Sequence, residues 1–208
     1  MSDSCCQSHI DTGAMQRRQR RVLALVLVIN AATFVMMIGA AVLSGSSALL
    51  SGALDNLGDA LTYALSFAVV GAASAAKGRV ALFKGCLIMT AAIAVAIQIG
   101  WRLMHVETPI FETMGVAAVL NLGANLLCLR LLHPYRDYDV NMSSVWECSR
   151  NDVMEGIAVI AAALAVWIFN SGWPDIVIAI ALLVLFLRSA VRVLRAAWRE
   201  ARLTPGAH

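Results

Sequence analysis

Charged residues are scarce in this sequence. Of its 208 residues, 14% are charged and 60% are hydrophobic, whereas a soluble domain of this size has about 25% charged residues. The mean hydropathy is +0.76. So much apolar surface needs lipid to cover it, because a soluble bundle would have to bury its long apolar segments on every face. The composition therefore excludes an ordinary soluble domain.

The apolar segments also lack the alternation of apolar and polar residues that marks the strands of a membrane β-barrel. They consist mainly of Ala, Leu, Val and Ile, and each is long enough for the roughly 20 helical residues that cross a bilayer. We predict an all-α membrane protein with six transmembrane helices, at residues 22–43, 47–71, 83–105, 112–133, 143–170 and 173–195.

The segments outside these helices are short. We predict a disordered, basic and cysteine-containing cytoplasmic tail at residues 1–21, a six-helix transmembrane domain at 22–200 and a short tail at 201–208. The last of these leaves no room for a folded C-terminal domain. The first apolar segment is too long for a cleaved signal peptide, so it is predicted to stay in the membrane.

Basic residues alternate with the predicted helices along the chain. They precede the first helix, lie near the second and fourth connections and crowd the end of the sixth: Arg17, Arg18, Arg20, Arg21, Lys77, Arg79, Lys84, Arg130, Arg136, Arg188, Arg192, Arg195, Arg199 and Arg202. Near the odd-numbered connections the only basic residue is Arg102. By the positive-inside rule both termini face the cytoplasm, and the predicted location is a bacterial inner membrane. Topology thus explains the net charge of +3, and we expect membrane lipid, not nucleic acid, as the partner.

Four side chains with metal-binding chemistry lie inside the predicted helices. Asp55 and Asp59 are four residues apart in the second helix, and Cys148 and Asp152 are four residues apart in the fifth. This spacing places each pair on one helix face, and a charge near the bilayer centre costs about 2.5–3.5 kcal/mol unless it meets a partner. Brought together, the two faces give three carboxylates and one thiol, a four-coordinate set that suits zinc-like ions.

Further candidates lie near this set and in the N-terminal tail. Glu155 lies about 60° off the line through Asp152, as a 100° step per residue implies, and is a candidate auxiliary ligand or proton relay, although a polar contact to another helix explains it equally well. Cys5, Cys6 and His9 are candidates for loose capture of a soft metal in the reducing cytoplasm, where a structural disulfide is not expected. Asn121 and Asn125 share a face of the fourth helix, and interhelical hydrogen bonds account for them. Cys128 has no acidic neighbour in register and is expected to pack in the interior.

The sequence resembles the cation diffusion facilitators. The stretches that resemble this family are "SSALLSGALDNLGDALTYA", "CSRNDVMEGIAV" and "SGWPDIVIAI", within roughly residues 20–200. The resemblance implies a homodimeric metal/proton antiporter, and it implies that Asp55, Asp59, Cys148 and Asp152 occupy the transport-site positions. Three features depart from the family pattern: Cys148 stands where His is usual, the soluble C-terminal domain is missing, and "GAASAAKGR" lacks the residues of an accessory site.

The predicted function is therefore proton-coupled efflux of divalent heavy metals. Cys148 favours cadmium and zinc, with cobalt, iron, lead and mercury as further candidates. We expect no enzymatic activity and no cofactor other than the transported Zn²⁺ or Cd²⁺. Two alternatives stay open at this point. One is an intramembrane aspartyl protease, although the Gly-x-Gly-Asp motif of those enzymes is replaced by Asn56-Leu57-Gly58-Asp59; the other is a passive metal channel or sensor.

Overall fold

The protein is built from six long helices. The computed structural model describes residues 17–68, 74–136 and 140–203, and in these ranges it contains helices and turns but no strand. The helices are α1 (Arg17–Ser44), α2 (Ser47–Ala68), α3 (Ser74–Met104), α4 (Phe111–Leu132), α5 (Val140–Phe169) and α6 (Trp173–Leu203), and a short 3₁₀ turn (His133–Tyr135) follows α4. The all-α fold class and the six helices of the prediction are thus confirmed.

The observed helix ends differ most from the predicted ones at the starts of the first and third helices and at the end of the sixth. α1 begins at Arg17, so residues 17–21 are helical and do not belong to the tail, and α6 continues to Leu203. α3 begins at Ser74, within the predicted connection. Long helices can run past the apolar core of a bilayer, and hydropathy alone does not show where such polar ends stop. Cys5, Cys6 and His9 lie outside the described residues.

The outer surface of the bundle is apolar. On α1, Val28, Val35 and Val42 follow one another at intervals of seven and are 62%, 68% and 76% exposed, whereas Asn30 and Thr33 on the opposite face are buried. This reverses the pattern of a soluble helix, because the polar side chains point inward and the large apolar ones outward. The surface therefore fits a lipid surrounding.

Length and composition mark four of the helices as able to cross a membrane in the described residues, at Arg17–Ser44, Cys86–Met104, Phe111–Tyr135 and Cys148–Phe169. α2 and α6 are not among the four, although they pack within the same bundle. In α2 the reason is physical, since this helix buries serines, an asparagine and an aspartate among its apolar residues. The four spans and the apolar surface together indicate a membrane protein.

The helices form two packing units. α1, α2, α4 and α5 pack on one another, while α3 packs mainly on α6 and this pair contacts α2. We call the end of the bundle where α1 begins and α6 ends the basal end. The opposite end, which carries the connections at 45–46, 105–110 and 170–172, is the apical end. A four-helix bundle with a helix pair beside it follows from these contacts.

The apical half draws apolar side chains from all six helices into one buried core. Representative members, one from each of α1 to α6, are Met37, Leu49, Ile99, Met114, Val166 and Ile176. A second, smaller buried cluster lies toward the basal end and comes from α1, α2, α4 and α5, as Leu23, Tyr63, Cys128 and Val145 illustrate. The apical half is thus closed by continuous side-chain packing.

Asp175, in the first turn of α6, joins this helix to the start of α2. Its carboxylate accepts hydrogen bonds from the Ser46 hydroxyl at 2.5 Å, from the Ser47 backbone N–H at 2.7 Å and from the Ala48 backbone N–H at 3.0 Å. The two backbone donors are N–H groups that a helix leaves without an internal partner, and a negative charge at a helix N-terminus is stabilising. Asp175 therefore caps α2 from another helix.

Arg102 is the exception to the alternation of basic residues, and its contacts explain its position. Its side chain is only 7% exposed, contacts Glu107 at 3.4 Å and interacts electrostatically with Asp175. Gly45, in the turn between α1 and α2, has φ +70 and lies against the guanidinium group. Arg102 thus interacts with acidic groups at the apical end. It is not one of the solvated basic residues to which the positive-inside rule applies.

Candidate metal centre

One face of α2 is polar along most of its length. Ser47, Ser51, Asp55 and Asp59 follow one another at intervals of four residues, which is the spacing of neighbours on one helix face. Asp59 is 3% exposed and Asp55 is half-buried. An apolar helix keeps such a face only where it meets polar groups of other helices or of a ligand.

α5 presents its polar face to α2. Asp152 and Cys148 are both buried, one turn apart. The carboxyl groups of Asp55 and Asp152 lie within hydrogen-bonding reach of each other, and the Asp55 carboxyl also reaches that of Glu155. The structure thus brings three acidic side chains from two helices together, as the spacing of the two pairs suggested, and it adds Glu155 to them.

Asp59 lies one turn farther toward the basal end. It interacts electrostatically with Asp152, and one of its carboxylate oxygens accepts a hydrogen bond of 3.4 Å from the Tyr63 hydroxyl. Cys128 of α4 is buried and close enough to interact with Asp59 as well. Three helices, α2, α4 and α5, therefore contribute ionisable groups to this region.

Two amides of α4 connect the helices that carry the acids. Asn56, next to Asp55, donates a hydrogen bond of 2.9 Å to the side-chain oxygen of Asn121. Asn125 donates one of 3.2 Å to the backbone carbonyl of Asp152. The predicted interhelical hydrogen bonds of Asn121 and Asn125 are confirmed. These bonds hold α2 and α5 in register, so that Asp55 and Asp152 stay at the same level.

The predicted ligands share one region but do not yet surround one point. In the described part of the chain, no three His, Cys, Asp or Glu side chains are arranged so that they hold a metal ion. Asp55 reaches both Asp152 and Glu155, Asp59 interacts electrostatically with Asp152, and Cys148 is buried one turn from Asp152. The four-ligand site of Asp55, Asp59, Cys148 and Asp152 therefore stays a prediction, as does the role of Glu155 as a relay.

Sequence reasoning missed the neighbours that other helices supply. Cys128 packs in the interior as predicted, and it also lies near Asp59 of another helix. No pattern within α4 shows this, because the acid belongs to α2. Tyr63 follows Asp59 by one turn, and that spacing alone would have suggested their hydrogen bond.

Chemically, the cluster is suited to binding cations. Its oxygen and sulfur atoms are acceptors or anions when deprotonated, and the side chains that act on Asp55 and Asp152 in the described part of the chain are acidic. Buried carboxyl groups without a basic partner need either protons or a cation. A site that binds either protons or a metal cation is what an exchange of cations for protons requires.

Comparison with protein-family models gives a match over most of the chain. The model of the cation efflux transmembrane domain matches residues 23–200, which includes all four predicted ligands. No curated protein matches the sequence significantly. The matched part is most of the chain and coincides with the six helices. Together with the buried acidic cluster and the lipid-compatible surface, this match shows that the chain belongs to the cation efflux family of membrane transporters, the cation diffusion facilitators, which export metal cations.

Proposed function

We propose that this protein exports cadmium and zinc in exchange for protons, at a site formed by Asp55, Asp59, Cys148 and Asp152. The observation that supports the site most directly is the contact between the Asp55 and Asp152 carboxyl groups across α2 and α5. Asp59 and Cys148 are buried one turn from these two, on the same faces of their helices. In this proposal a rearrangement of the four side chains directs three oxygens and one sulfur at one ion.

The contact between carboxyl groups supports proton exchange. A hydrogen bond between two carboxyl groups needs a proton on one of them, because a carboxylate only accepts. Divalent metals bind the deprotonated forms of carboxyl and thiol ligands, so metal binding releases protons. Glu155, which reaches Asp55, is positioned to pass such a proton on. Protons and metal thus compete for the same atoms.

Cys148 sets the proposed metal preference. A thiolate is softer than the imidazole usual at this position in the family, and soft ligands favour soft or borderline ions. Cadmium and zinc both accept one sulfur and three oxygens, and cadmium gains more from the sulfur. Cobalt, iron, lead and mercury are further candidates, whereas manganese and magnesium prefer oxygen alone.

The two packing units support alternating access. Motion of the α3–α6 pair relative to the four-helix bundle would open the cluster to one membrane face at a time. We place the basal end in the cytoplasm, on the basic residues there, and the protein in a bacterial inner membrane as a homodimer surrounded by lipid. Cys5, Cys6 and His9 would collect metal on the cytoplasmic side. An aspartyl protease is not favoured, because the family consists of transporters.

A pH gradient is expected to drive metal uptake in inverted vesicles. With an acidic lumen, protons leave as cadmium or zinc enters, and one pH unit supplies about 1.4 kcal/mol per proton exchanged. The measurement is the initial uptake rate with an indicator dye trapped inside, before and after an ionophore collapses the gradient. Vesicles without the protein are the control. Uptake that is the same after collapse would indicate a passive channel.

Replacing Cys148 with serine is expected to lower cadmium uptake more than zinc uptake. Serine keeps the size but replaces a soft sulfur by a hard oxygen, so the cadmium-to-zinc ratio should fall about tenfold, equivalent to roughly 1.4 kcal/mol. Cys148→His should shift the preference toward zinc. Competitive uptake of the two metals measures the ratio, and Cys86→Ser, an exposed thiol on α3, is the matched control. An unchanged ratio in Cys148→Ser would remove Cys148 from the site.

A further inference from the structure

Two serine hydroxyls on the polar face of α2 lie between the acidic cluster and the apical end. Ser47 and Ser51 are 0% and 2% exposed, and the side-chain oxygen of each is buried without a hydrogen-bond partner. Four residues of α-helix rise about 6 Å. Ser51 is therefore about 6 Å, and Ser47 about 12 Å, from Asp55 along the helix axis toward the apical end.

Ser47, Ser51 and Ser149 of α5 are the serines with a buried hydroxyl that has no hydrogen-bond partner in the described part of the chain, whereas several other helical hydroxyls bond to the preceding turn. Ser44 donates to the Ala40 carbonyl at 2.7 Å, Thr62 to the Gly58 carbonyl at 2.7 Å and Thr33 to the Ile29 carbonyl at 2.9 Å. Ser51 could make the same bond to the preceding turn, whereas Ser47 is the first residue of α2 and has no preceding turn in that helix. A buried hydroxyl without a partner is destabilising. The unpaired hydroxyls of Ser47 and Ser51 thus cost stability in this conformation.

The position of the two serines suggests what they contact in another conformation. They lie on the line of Asp55 and Asp59, within the half of the bundle that apolar packing closes. Above them, Asp175 of α6 holds the start of α2 through Ser46, Ser47 and Ala48. Separation of α6 from α2 would break these bonds and admit water along the face that carries both hydroxyls.

We propose that Ser51 and Ser47 line the exit path of the exported cation, with Ser51 as the first oxygen contact after the acidic cluster. This inference rests on the proposed function. A neutral hydroxyl suits the role, because it accepts from the water shell of a divalent ion or contacts the ion itself without holding it as a carboxylate does. A cation therefore leaves Asp55 toward two neutral, weaker oxygen ligands, each one helical turn farther along α2.

Replacing Ser51 with alanine tests this role with two readouts of opposite sign. Gradient-driven cadmium uptake should fall about fivefold, the effect of one lost hydrogen bond of about 1 kcal/mol in the open conformation. The thermal midpoint of unfolding should stay the same or rise, because alanine removes an unpaired buried hydroxyl. Ser51→Thr, which keeps the hydroxyl, should restore uptake. Thr90→Val, which removes an exposed and hydrogen-bonded hydroxyl of α3, is the control.

Accessibility gives an independent measurement. In right-side-out vesicles, a membrane-impermeant cationic thiol reagent should inhibit Ser51→Cys more than the wild type, which carries the native cysteines. Ala53→Cys is the matched control, because Ala53 is on the same helix but belongs to the apolar core. It should show no inhibition beyond the wild-type level.

Three outcomes would overturn the inference. They are wild-type uptake by Ser51→Ala, a loss of uptake together with a lower unfolding midpoint, and no extra inhibition of an active Ser51→Cys protein. Each is read against wild-type protein that transports in the same vesicles. Absence of gradient-driven uptake by the wild type itself would instead refute the proposed function, so the two failures are distinguishable.

Discussion

Replacing Asp59 or Asp152 with alanine is expected to abolish metal export. Both side chains are buried, they act on each other electrostatically, and each would supply one of only three carboxylates to the proposed site. Loss of groups that merely support a metal ligand costs about 10–100-fold in affinity or activity, so loss of a charged ligand should reduce uptake by at least about 100-fold. Initial rates in inverted vesicles measure this.

The control for these variants is Glu112→Ala. It removes an exposed carboxylate at the start of α4, outside the acidic cluster, and should keep uptake near the wild-type rate. Immunoblots of the membrane fraction verify that the variants and the wild type are expressed and inserted at the same level. Near-normal metal resistance of cells that express Asp59→Ala or Asp152→Ala would show that the cluster is not the transport site.

Replacing Asp175 with alanine is expected to give the largest loss of stability. The carboxylate is fully buried and accepts three hydrogen bonds from the start of α2. Its removal leaves those donors unpaired and takes one acidic group away from the buried Arg102. Each buried donor left unpaired costs about 1–3 kcal/mol, and a protein of this size loses about 2–4 °C per kcal/mol. The unfolding midpoint should therefore fall by about 10 °C.

Asp175→Asn separates the hydrogen bonds from the charge. Asparagine is a good capping residue, so this variant should keep part of the cap and lose less stability than Asp175→Ala. The comparison uses thermal unfolding of the purified protein in detergent, followed by tryptophan fluorescence. Equal midpoints for the wild type and Asp175→Ala would mean that this contact does not hold α6 to α2.

The fold was largely predictable because its determinants are local. Apolar segments long enough for a bilayer gave six helices, and they correspond in order to α1–α6. The spacing of Asp55 and Asp59 predicted a polar face, and the cost of buried charge predicted that it would meet Asp152. Helix ends beyond the apolar core, such as Arg17 and Leu203, were less predictable, since solvated turns carry no hydrophobic pattern.

What the sequence did not reveal depends on contacts between helices distant in the chain. An aspartate in a first turn is expected to favour its own helix, yet Asp175 caps α2. Cys128 lies near Asp59 although α4 contains no acid near that cysteine. Ser51 reads as one more small residue in an apolar helix, and only its burial without a partner distinguishes it. Such features follow from how helices pack, which a single sequence does not specify.

The cap of α2 by Asp175 also has a consequence for biosynthesis. The two partners are 128 residues apart, and chains are synthesised at about 5–20 residues per second. The start of α2 therefore leaves the ribosome roughly 6–26 seconds before the residue that caps it. During this interval its N–H groups depend on water or lipid headgroups. A nascent chain that stops before α6 can insert its first helices, but the start of α2 then lacks the acceptor that Asp175 provides.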